Sequence, residues 1–128
     1  MSPVRMSRIE KVVRIALAYK DTFNRRDIEG MLKLMSDDCE FETAEAPGGV
    51  KIRGKQKIEQ YWRDFMSRRL QIHMVGEEVN GLGMRCILRW RLAWKDTDDN
   101  ERFIRGVDIF EVEKGLICKQ YSYTKAIF

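Results

Sequence analysis

The sequence predicts an α+β fold in which a curved antiparallel sheet wraps around three N-terminal helices and leaves a cone with a central pocket. Apolar residues recur at three- and four-residue spacing in the segments before residue 67, and the pattern changes to period two from residue 70 onward. The strands predicted there are joined by short turns, so neighbouring strands should be antiparallel. Helices that precede such a meander cover one face of its sheet.

The composition is that of one globular domain spanning residues 1–128. Hydrophobic residues make up 44% of the chain and charged residues 34%, and this length is enough to bury a core. The net charge is +4 and the basic residues are dispersed among acidic ones, so no nucleic-acid partner is expected. No apolar run approaches the roughly 20 residues of a membrane span, and the N-terminus does not resemble a secretory signal. We therefore expect a cytoplasmic protein without a membrane partner.

The cysteines and the single histidine argue against a metal site. Cys39, Cys86 and Cys118 are far apart, form no C-x-x-C pair and are odd in number, and His73 is the only histidine. We interpret the three cysteines as reduced core residues. Since the sequence also lacks a Gly-rich phosphate loop, we expect no metal and no cofactor.

Two helices are predicted at the start of the chain. The first spans residues 8–24, and its apolar stripe consists of Ile9, Val12, Val13, Ala16, Tyr19 and Phe23. Asp27 is placed to cap a short second helix. The inner face of the second helix is predicted to carry Ile28, Met31, Leu32 and Met35.

Two short strands and a third helix follow. The segment DDCEFET predicts a strand over residues 37–43, APGG predicts a turn, and VKIRG predicts a second strand fragment. Gly54 precedes the third helix. The apolar stripe of that helix consists of Ile58, Tyr61, Trp62, Phe65 and Met66.

Four long strands complete the predicted fold. They span residues 70–80, 82–95, 101–113 and 116–125, separated by the turn sequences NGLG, DTDDN and EKG. The second of them alternates most clearly. Its inner face is predicted to carry Leu82, Met84, Cys86, Leu88, Trp90, Leu92 and Trp94. Its outer face is predicted to carry Arg85, Ile87, Arg89, Arg91 and Lys95.

Asp108 is a carboxylate on a strand face that is otherwise apolar or small. The residues that share this face are Ile104, Gly106, Phe110 and Val112. A buried charge without a partner is costly, so such a group is either neutral or fully hydrogen-bonded. We expect Asp108 to line the pocket, with a donor such as Tyr19 beside it.

Three segments resemble the nuclear transport factor 2-like superfamily, in particular its SnoaL-like cyclases and ketosteroid isomerases. They are YKDTFNRRDIEGMLKLMSDDCEFE, IRGKQKIEQYW and GVDIFEVEKGLICKQYSY. The resemblance covers nearly the whole chain and implies a single SnoaL-like domain with the cone-shaped, cystatin-like fold. This scaffold carries isomerases, cyclases, hydrolases and proteins without chemistry, so the resemblance implies the fold more strongly than the reaction.

The resemblance also implies roles for individual residues. The tyrosine that donates to the substrate oxyanion in ketosteroid isomerases corresponds to Tyr19, eight residues before Asp27, and the second donor corresponds to Asp108. The catalytic base of those enzymes corresponds to Thr43, which cannot transfer a proton near neutral pH. The Arg-x-Asp pair of limonene epoxide hydrolases is not matched, because Gly106 lies two positions before Asp108. SnoaL-like cyclases use a sheet aspartate as acid and base, and Asp108 is the candidate for that role.

The expected catalytic residues are therefore Asp108 and Tyr19. The residues expected to contact a ligand are Thr43, Trp62, Leu88, Trp90, Phe110, Gln120, Ser122 and Thr124. His73 and Glu45 are alternatives for the missing base, whereas Glu42 has the wrong strand parity. An aromatic wall with few polar groups suits a small apolar or aromatic ligand.

Two classes of function remain open. The first is an isomerase- or cyclase-type enzyme that acts on an apolar carbonyl compound through Tyr19 and Asp108. The second is a non-catalytic module for ligand binding or dimerisation, which Thr43 at the base position favours. Because the superfamily often pairs sheet to sheet, the resemblance implies a homodimer through the outer face of strand 82–95. The arginines of that face would pair with acidic residues such as Glu111 and Glu113.

Overall fold

The computed structural model describes residues 3–45 and 48–125, with the backbone alone for residues 3–9. The elements follow the predicted order of two helices, two strands, a third helix and four long strands. They are α1 (Pro3–Asn24), α2 (Ile28–Lys33), β1 (Met35–Glu42), β2 (Lys51–Arg53), α3 (Lys55–Ser67), β3 (Leu70–Leu82), β4 (Arg85–Lys95), β5 (Glu101–Glu113) and β6 (Leu116–Thr124). None of the helices in these ranges is both long and apolar enough to cross a membrane.

The strands form one curved, open sheet in the order β2-β1-β6-β5-β4-β3. The prediction of an α+β fold with N-terminal helices against a mostly antiparallel sheet is confirmed. The parallel pairing of β1 with β6 was not predicted. A parallel pair requires a long connection, which the chain from β2 through β5 supplies. This pairing brings Phe41 beside Gln120 and joins the two short strands to the four long ones.

The start of β1 corrects the prediction for Met35. The Asp27 side chain caps α2 as predicted, accepting a hydrogen bond from the Gly30 amide at 2.9 Å. The helix ends at Lys33, however, and Met35 is the first residue of β1, paired with Ile117 of β6. Met35 is nevertheless fully buried. The spacing of Met35 therefore predicted correctly that it is buried, but wrongly that it belongs to a helix and not to a strand.

The tip of the β3–β4 hairpin corrects two further predictions. Leu82 and Met84, predicted on the inner face of β4, are 72% and 45% exposed. β3 continues to Leu82, and Gly83 turns the chain with a φ of 60° before β4 begins. Buried residues then alternate with exposed ones from Cys86 to Leu92, as predicted. The hairpin tip extends beyond the helices that cover the sheet, so its apolar side chains lie in solvent.

The core lies between the helices and the inner face of the sheet, with an aromatic cluster at its centre. Trp62 of α3 packs edge-on against Phe23 and Tyr19 of α1, with ring centroids 5.6 and 6.4 Å apart. The same indole stacks on Phe41 of β1 at 5.4 Å. These rings fix both helices against the sheet and form one wall of the site described below.

A single side chain fastens α1 to the edge strand β3. The Asn24 amide group donates to the Met74 carbonyl oxygen at 2.8 Å and accepts from the Met74 amide at 2.7 Å. These two bonds satisfy the outward-facing backbone groups of Met74, whose side chain is buried in the core. The C-terminal end of α1 is thereby held at a fixed distance from the sheet.

Candidate functional site

A cavity of about 160 Å³ lies between α1, α3 and the inner face of the sheet. Its aromatic wall consists of Tyr19, Phe23, Phe41, Tyr61, Trp62, Phe65 and Trp90. Its smaller and aliphatic contacts are Ala44, Met74, Leu92 and Ile104. Its polar and charged contacts are Glu45, Arg69, Asp108, Ser122 and Thr124. Engineered apolar cavities of about this size hold a benzene molecule, so the enclosed space suits one ring.

Asp108 is the buried acid of this cavity, with 2% of its surface exposed. The Ser122 hydroxyl donates to its Oδ1, and the Gln120 amide donates to its Oδ2 at 3.1 Å. Burial raises the pKa of Asp108 from 3.8 to about 6, while the hydrogen bonds from Ser122 and Gln120 and the nearby Trp90 N–H act to lower it. Burial has the larger effect, so the carboxyl group titrates close to neutral pH.

The hydrogen-bond donors to Asp108 are therefore Ser122 and Gln120. Tyr19, which the sequence analysis expected as such a donor, makes no hydrogen bond to it. β5 and β6 pair in a register that places Asp108 opposite Ser122 and Phe110 opposite Gln120. Alternate residues of a strand share a face, so Ser122 and Gln120 both reach the carboxyl group. The buried carboxylate is hydrogen-bonded, as expected, but by its neighbouring strand.

Several buried polar atoms around Asp108 have no hydrogen-bond partner among the described residues. They are the Tyr19 hydroxyl, the indole nitrogens of Trp62 and Trp90, and Oε1 of Gln120. The Trp90 N–H faces Asp108 closely enough to lower its pKa but falls short of hydrogen-bond geometry. Burial, and after it the charge of Asp108, raises the pKa of Tyr19 well above its ordinary value, so its hydroxyl remains a proton donor. The Gln120 side chain lies close enough to act in the opposite direction on this pKa, although the two side chains do not meet hydrogen-bond geometry. The three donors among these atoms, on Tyr19, Trp62 and Trp90, belong to residues that line the cavity, and they are buried without a hydrogen-bond partner in the described part of the chain.

The predicted site residues divide into two groups. The structure brings six of them to the cavity surface: Tyr19, Trp62, Trp90, Asp108, Ser122 and Thr124. It places the other four behind that surface: Thr43, Leu88, Phe110 and Gln120. Leu88 and Phe110 are fully buried core residues, and Gln120 acts through its bond to Asp108.

Thr43, at the position of the missing base, has a structural contact. Its hydroxyl accepts a hydrogen bond from the Val50 amide at 3.0 Å, and its own amide donates to the Val50 carbonyl at 2.9 Å. The side chain is 2% exposed. Thr43 therefore closes the loop between β1 and β2 and does not face the cavity.

The alternatives for a base are separated by their positions. His73 is exposed on the outer side of the sheet and does not reach the cavity. Glu42 pairs with Lys51 on β2 and also lies outside the cavity lining. Glu45 lines the cavity from the loop after β1 and is exposed to solvent, so it is a second carboxylate at the mouth.

Sequence reasoning missed Arg69, the guanidinium group of the cavity. It follows the end of α3, four residues after Phe65 and seven after Trp62. That spacing continues the apolar stripe of the helix and could have indicated the same face. Its charge instead favoured a position in solvent.

Gly106 makes room for the indole of Trp90. The two residues are paired across β4 and β5, and a Cβ atom at position 106 would lie 2.5 Å from Cζ2 of Trp90 and 2.5 Å from the Tyr123 carbonyl oxygen. Any larger residue would displace the ring. The position two before Asp108 therefore holds the aromatic wall close to the carboxyl group.

Among the described residues, no group of three or more His, Cys, Asp or Glu side chains is arranged to hold a metal ion.

Comparisons with known proteins extend these observations. The family model described as SnoaL-like domain matches residues 16–120. A candidate polyketide cyclase from Xanthomonas campestris pv. campestris superposes with a TM-score of 0.83 at 16% identity, covering 92% of this chain and 93% of that chain. An NTF2-like protein of unknown function from Mesorhizobium loti has a TM-score of 0.77 at 28% identity, covering 93% and 94%. TerC co-crystallised with polyporic acid has a TM-score of 0.78 at 18% identity, covering 90% and 92%. No curated protein matches the chain.

Proposed function

The chain belongs to the family of SnoaL-like domains, as its sequence indicated. On that basis we propose that its cavity binds a small, largely apolar carbonyl compound and performs acid–base chemistry on it. The observation that carries the proposal is the group of unpartnered buried donors beside a carboxyl group that titrates near neutral pH. A buried donor without a partner costs roughly 1–3 kcal/mol. A ligand oxygen that accepts from these donors would recover that free energy.

The proposed chemistry is a proton relay through Asp108. The carboxylate takes a proton from the carbon next to the ligand carbonyl, so a C–H bond breaks and an O–H bond forms. The electron pair moves to the carbonyl oxygen, which accepts a hydrogen bond from Tyr19. If the carboxyl group exchanges its proton with solvent and then delivers the new one to the same carbon, the α-proton is exchanged. If it delivers the proton to a different carbon of a conjugated enolate, the compound is isomerised. A pKa of about 6 suits both directions of transfer, since it lies close to the operating pH.

The ligand class follows from the size and lining of the cavity. A space of about 160 Å³ encloses one ring, and a larger molecule would extend through the mouth beside Glu45. Aromatic side chains on both helices and on the sheet favour a flat ligand. A candidate polyketide cyclase and TerC, which was co-crystallised with polyporic acid, share this fold, and this supports a small-molecule ligand.

The relay can be tested without knowing the natural substrate. Phenylacetone is a one-ring ketone, and the exchange of its α-protons in deuterated buffer is followed by proton NMR. We expect the wild-type protein to accelerate exchange, Asp108→Asn to abolish the acceleration, and Tyr19→Phe to reduce it at least tenfold. Asp99→Asn is the matched control, because Asp99 is an exposed aspartate in the β4–β5 turn with a φ of 64° that asparagine tolerates.

The two carboxylates of the cavity are distinguished in the same assay. If Glu45→Gln abolishes exchange and Asp108→Asn does not, Glu45 is the base and Asp108 is a hydrogen-bonding residue. If none of the variants differs from wild type, the acid–base proposal fails.

A non-catalytic binding module is the second candidate function, and Thr43 favours it. The residue at the base position of the resembling isomerases holds a loop through its hydroxyl and has no carboxylate to transfer a proton. In this case, phenol would bind in the cavity with an affinity that depends on Tyr19 and Asp108. Phenylacetone would bind as well, but its α-protons would exchange no faster than in buffer.

A homodimer through the outer face of the sheet is also part of the proposal. Ile87, Phe103 and Tyr123 are 43%, 45% and 54% exposed on that face. Arg85 is already paired with Glu111 of its own chain at 3.1 Å, so apolar contact rather than new ion pairs would hold two copies together. Light scattering at micromolar concentration should give about twice the chain mass of 15.2 kDa. A mass of one chain would reject the dimer, and Phe103→Glu should produce that mass.

A further inference from the structure

Arg69 is held over the cavity by contacts with the end of α3. Its Nη1 donates to the Phe65 carbonyl oxygen at 2.9 Å. The guanidinium carbon lies 3.7 Å from the centre of the Phe65 ring and 5.3 Å from that of Trp94. The Arg69 carbonyl oxygen in turn accepts from Nη2 of Arg26 at 2.8 Å. Backbone and side chain are therefore both fixed, and the guanidinium group is a positioned part of the cavity wall.

The charge of Arg69 has no acidic partner among the described residues. Among the residues that the structure describes with side chains, eight other arginines have a carboxylate oxygen within 4.0 Å. Within the same residues, Arg69 has none; Arg25, Arg26 and Arg91 also have none, but they do not line the cavity. The carboxylates that act on its charge are those of Asp64, which pairs with Arg68 instead, and Glu45. Burial lowers the pKa of Arg69, but a guanidinium group stays charged near neutral pH. A partly buried cation without a counterion favours binding of an anion.

The unused edge of the guanidinium group has the geometry of a carboxylate site. Nη1 is occupied by the Phe65 carbonyl, whereas Nε is buried without a partner and Nη2 makes no hydrogen bond within the described residues. Nε and Nη2 lie on one edge of the planar guanidinium group, and one N–H bond of each points in the same in-plane direction. Such an edge binds both oxygens of a carboxylate at once, which is the strongest arrangement for this pair of groups.

We propose that the ligand of this cavity is a cyclic carboxylic acid whose carboxylate is bound side-on by Arg69, while its carbonyl or hydroxyl oxygen accepts a hydrogen bond from Tyr19 on the side of the cavity that carries Asp108. The inference rests on the proposed function, since both charged residues line the same cavity. The inference gives the cavity two chemically different sides, with the Arg69 cation on the α3 side and the Asp108 acid on the sheet side. A neutral ketone or phenol would use only the second of these.

The probes are 4-hydroxybenzoate and its methyl ester, which share one ring and one hydroxyl group and differ in charge. Each is titrated against the protein by tryptophan fluorescence, because Trp62 and Trp90 line the cavity. We expect wild type to bind the acid at least tenfold more tightly than the ester. In Arg69→Gln the two affinities should become equal through loss of acid binding, with the ester changed less than twofold. Arg69→Lys should keep part of the preference, since it retains the charge without the two-donor edge.

Arg68→Gln is the matched control, because Arg68 is the adjacent arginine, is exposed and does not line the cavity. Its preference for the acid should equal that of wild type. Equal wild-type affinity for acid and ester overturns the inference, and so does a preference that survives Arg69→Gln. If the ester binds in a manner that depends on Asp108 but the acid gains nothing, the proposed function stands and this inference fails. If neither compound binds, both fail.

Discussion

Replacing Asp108 with asparagine should stabilise the protein by an amount that grows with pH. The pKa of Asp108 is about 6 in the folded protein against an ordinary value of 3.8. The folded state therefore binds the proton more tightly than the unfolded chain, and ionisation of this group opposes folding. The two pKa values differ by about 2.2 (6 minus 3.8), which corresponds to roughly 3 kcal/mol. This cost is absent well below pH 3.8, increases between the two values, and is complete above about pH 6.

The asparagine variant isolates this effect, because asparagine does not titrate. Its Oδ1 can accept from Ser122, and its amide nitrogen, in place of Oδ2, can donate to Oε1 of Gln120 once the Gln120 amide group has turned over. The two proteins are unfolded in urea at about pH 4, 6 and 8, and the transition is followed by tryptophan fluorescence. At each pH, the free energy of unfolding of wild type is subtracted from that of the variant, so the contributions of titrating groups that both proteins share cancel. Between about pH 4 and pH 8 this difference should move by roughly 2–3 kcal/mol in favour of the variant.

The result that would refute the reasoning is a difference that stays constant with pH. It would mean that folding does not raise the pKa of Asp108. A difference that moves in favour of wild type as pH rises would mean that the hydrogen bonds outweigh burial. Ser122→Ala provides an internal check on the sign. It removes a donor that lowers the pKa of Asp108, so the stability of this variant should continue to fall with pH above the range in which wild type levels off.

Three further predictions concern the residues that shape the cavity. Gly106→Ala should displace the Trp90 indole, and we expect it to lower the free energy of unfolding in urea by about 1–3 kcal/mol and to weaken phenol binding. Unchanged stability and binding would show that the ring has room to move. Thr43→Val removes the hydroxyl that accepts from the Val50 amide, so it should lower the free energy of unfolding by about 1 kcal/mol and leave the affinity for phenol unchanged. A large loss of affinity would place Thr43 in the binding site. Asn24→Ala removes both hydrogen bonds to Met74, so it should lower the free energy of unfolding by about 2 kcal/mol and speed hydrogen exchange at the Met74 amide. Exchange at the wild-type rate would contradict the role of this side chain.

The fold was predictable because its patterns are local. The alternation from Cys86 to Leu92 and the cap at Asp27 each depend on neighbouring residues, and both are confirmed. Met35 was misassigned because a buried apolar residue satisfies a helix stripe and a strand face equally well. The parallel pairing of β1 with β6 joins segments about 80 residues apart, and no local spacing encodes such a contact.

The candidate site was predictable where strand parity decides it. Asp108 and Trp90 lie on predicted inner faces and reach the cavity. The partners of Asp108 depend on the register between β5 and β6, which the sequence does not specify. Arg69 was missed because an arginine after a helix ordinarily lies in solvent, and only the folded chain reveals that its guanidinium group turns back over Phe65.

The pair of hydrogen bonds between Asn24 and Met74 should also hinder aggregation through the β3 edge of the sheet. β3 is one end of the sheet, and an open strand edge is a template on which another chain can add a strand. Asn24 occupies both backbone groups of Met74 on that edge, so α1 lies where an incoming strand would pair. A foreign strand would have to lift the end of α1 from the sheet, and Tyr19 would leave the cavity with it. Resistance to fibre formation and integrity of the binding site thus depend on the same helix, and a ligand that holds Tyr19 in place should also delay aggregation.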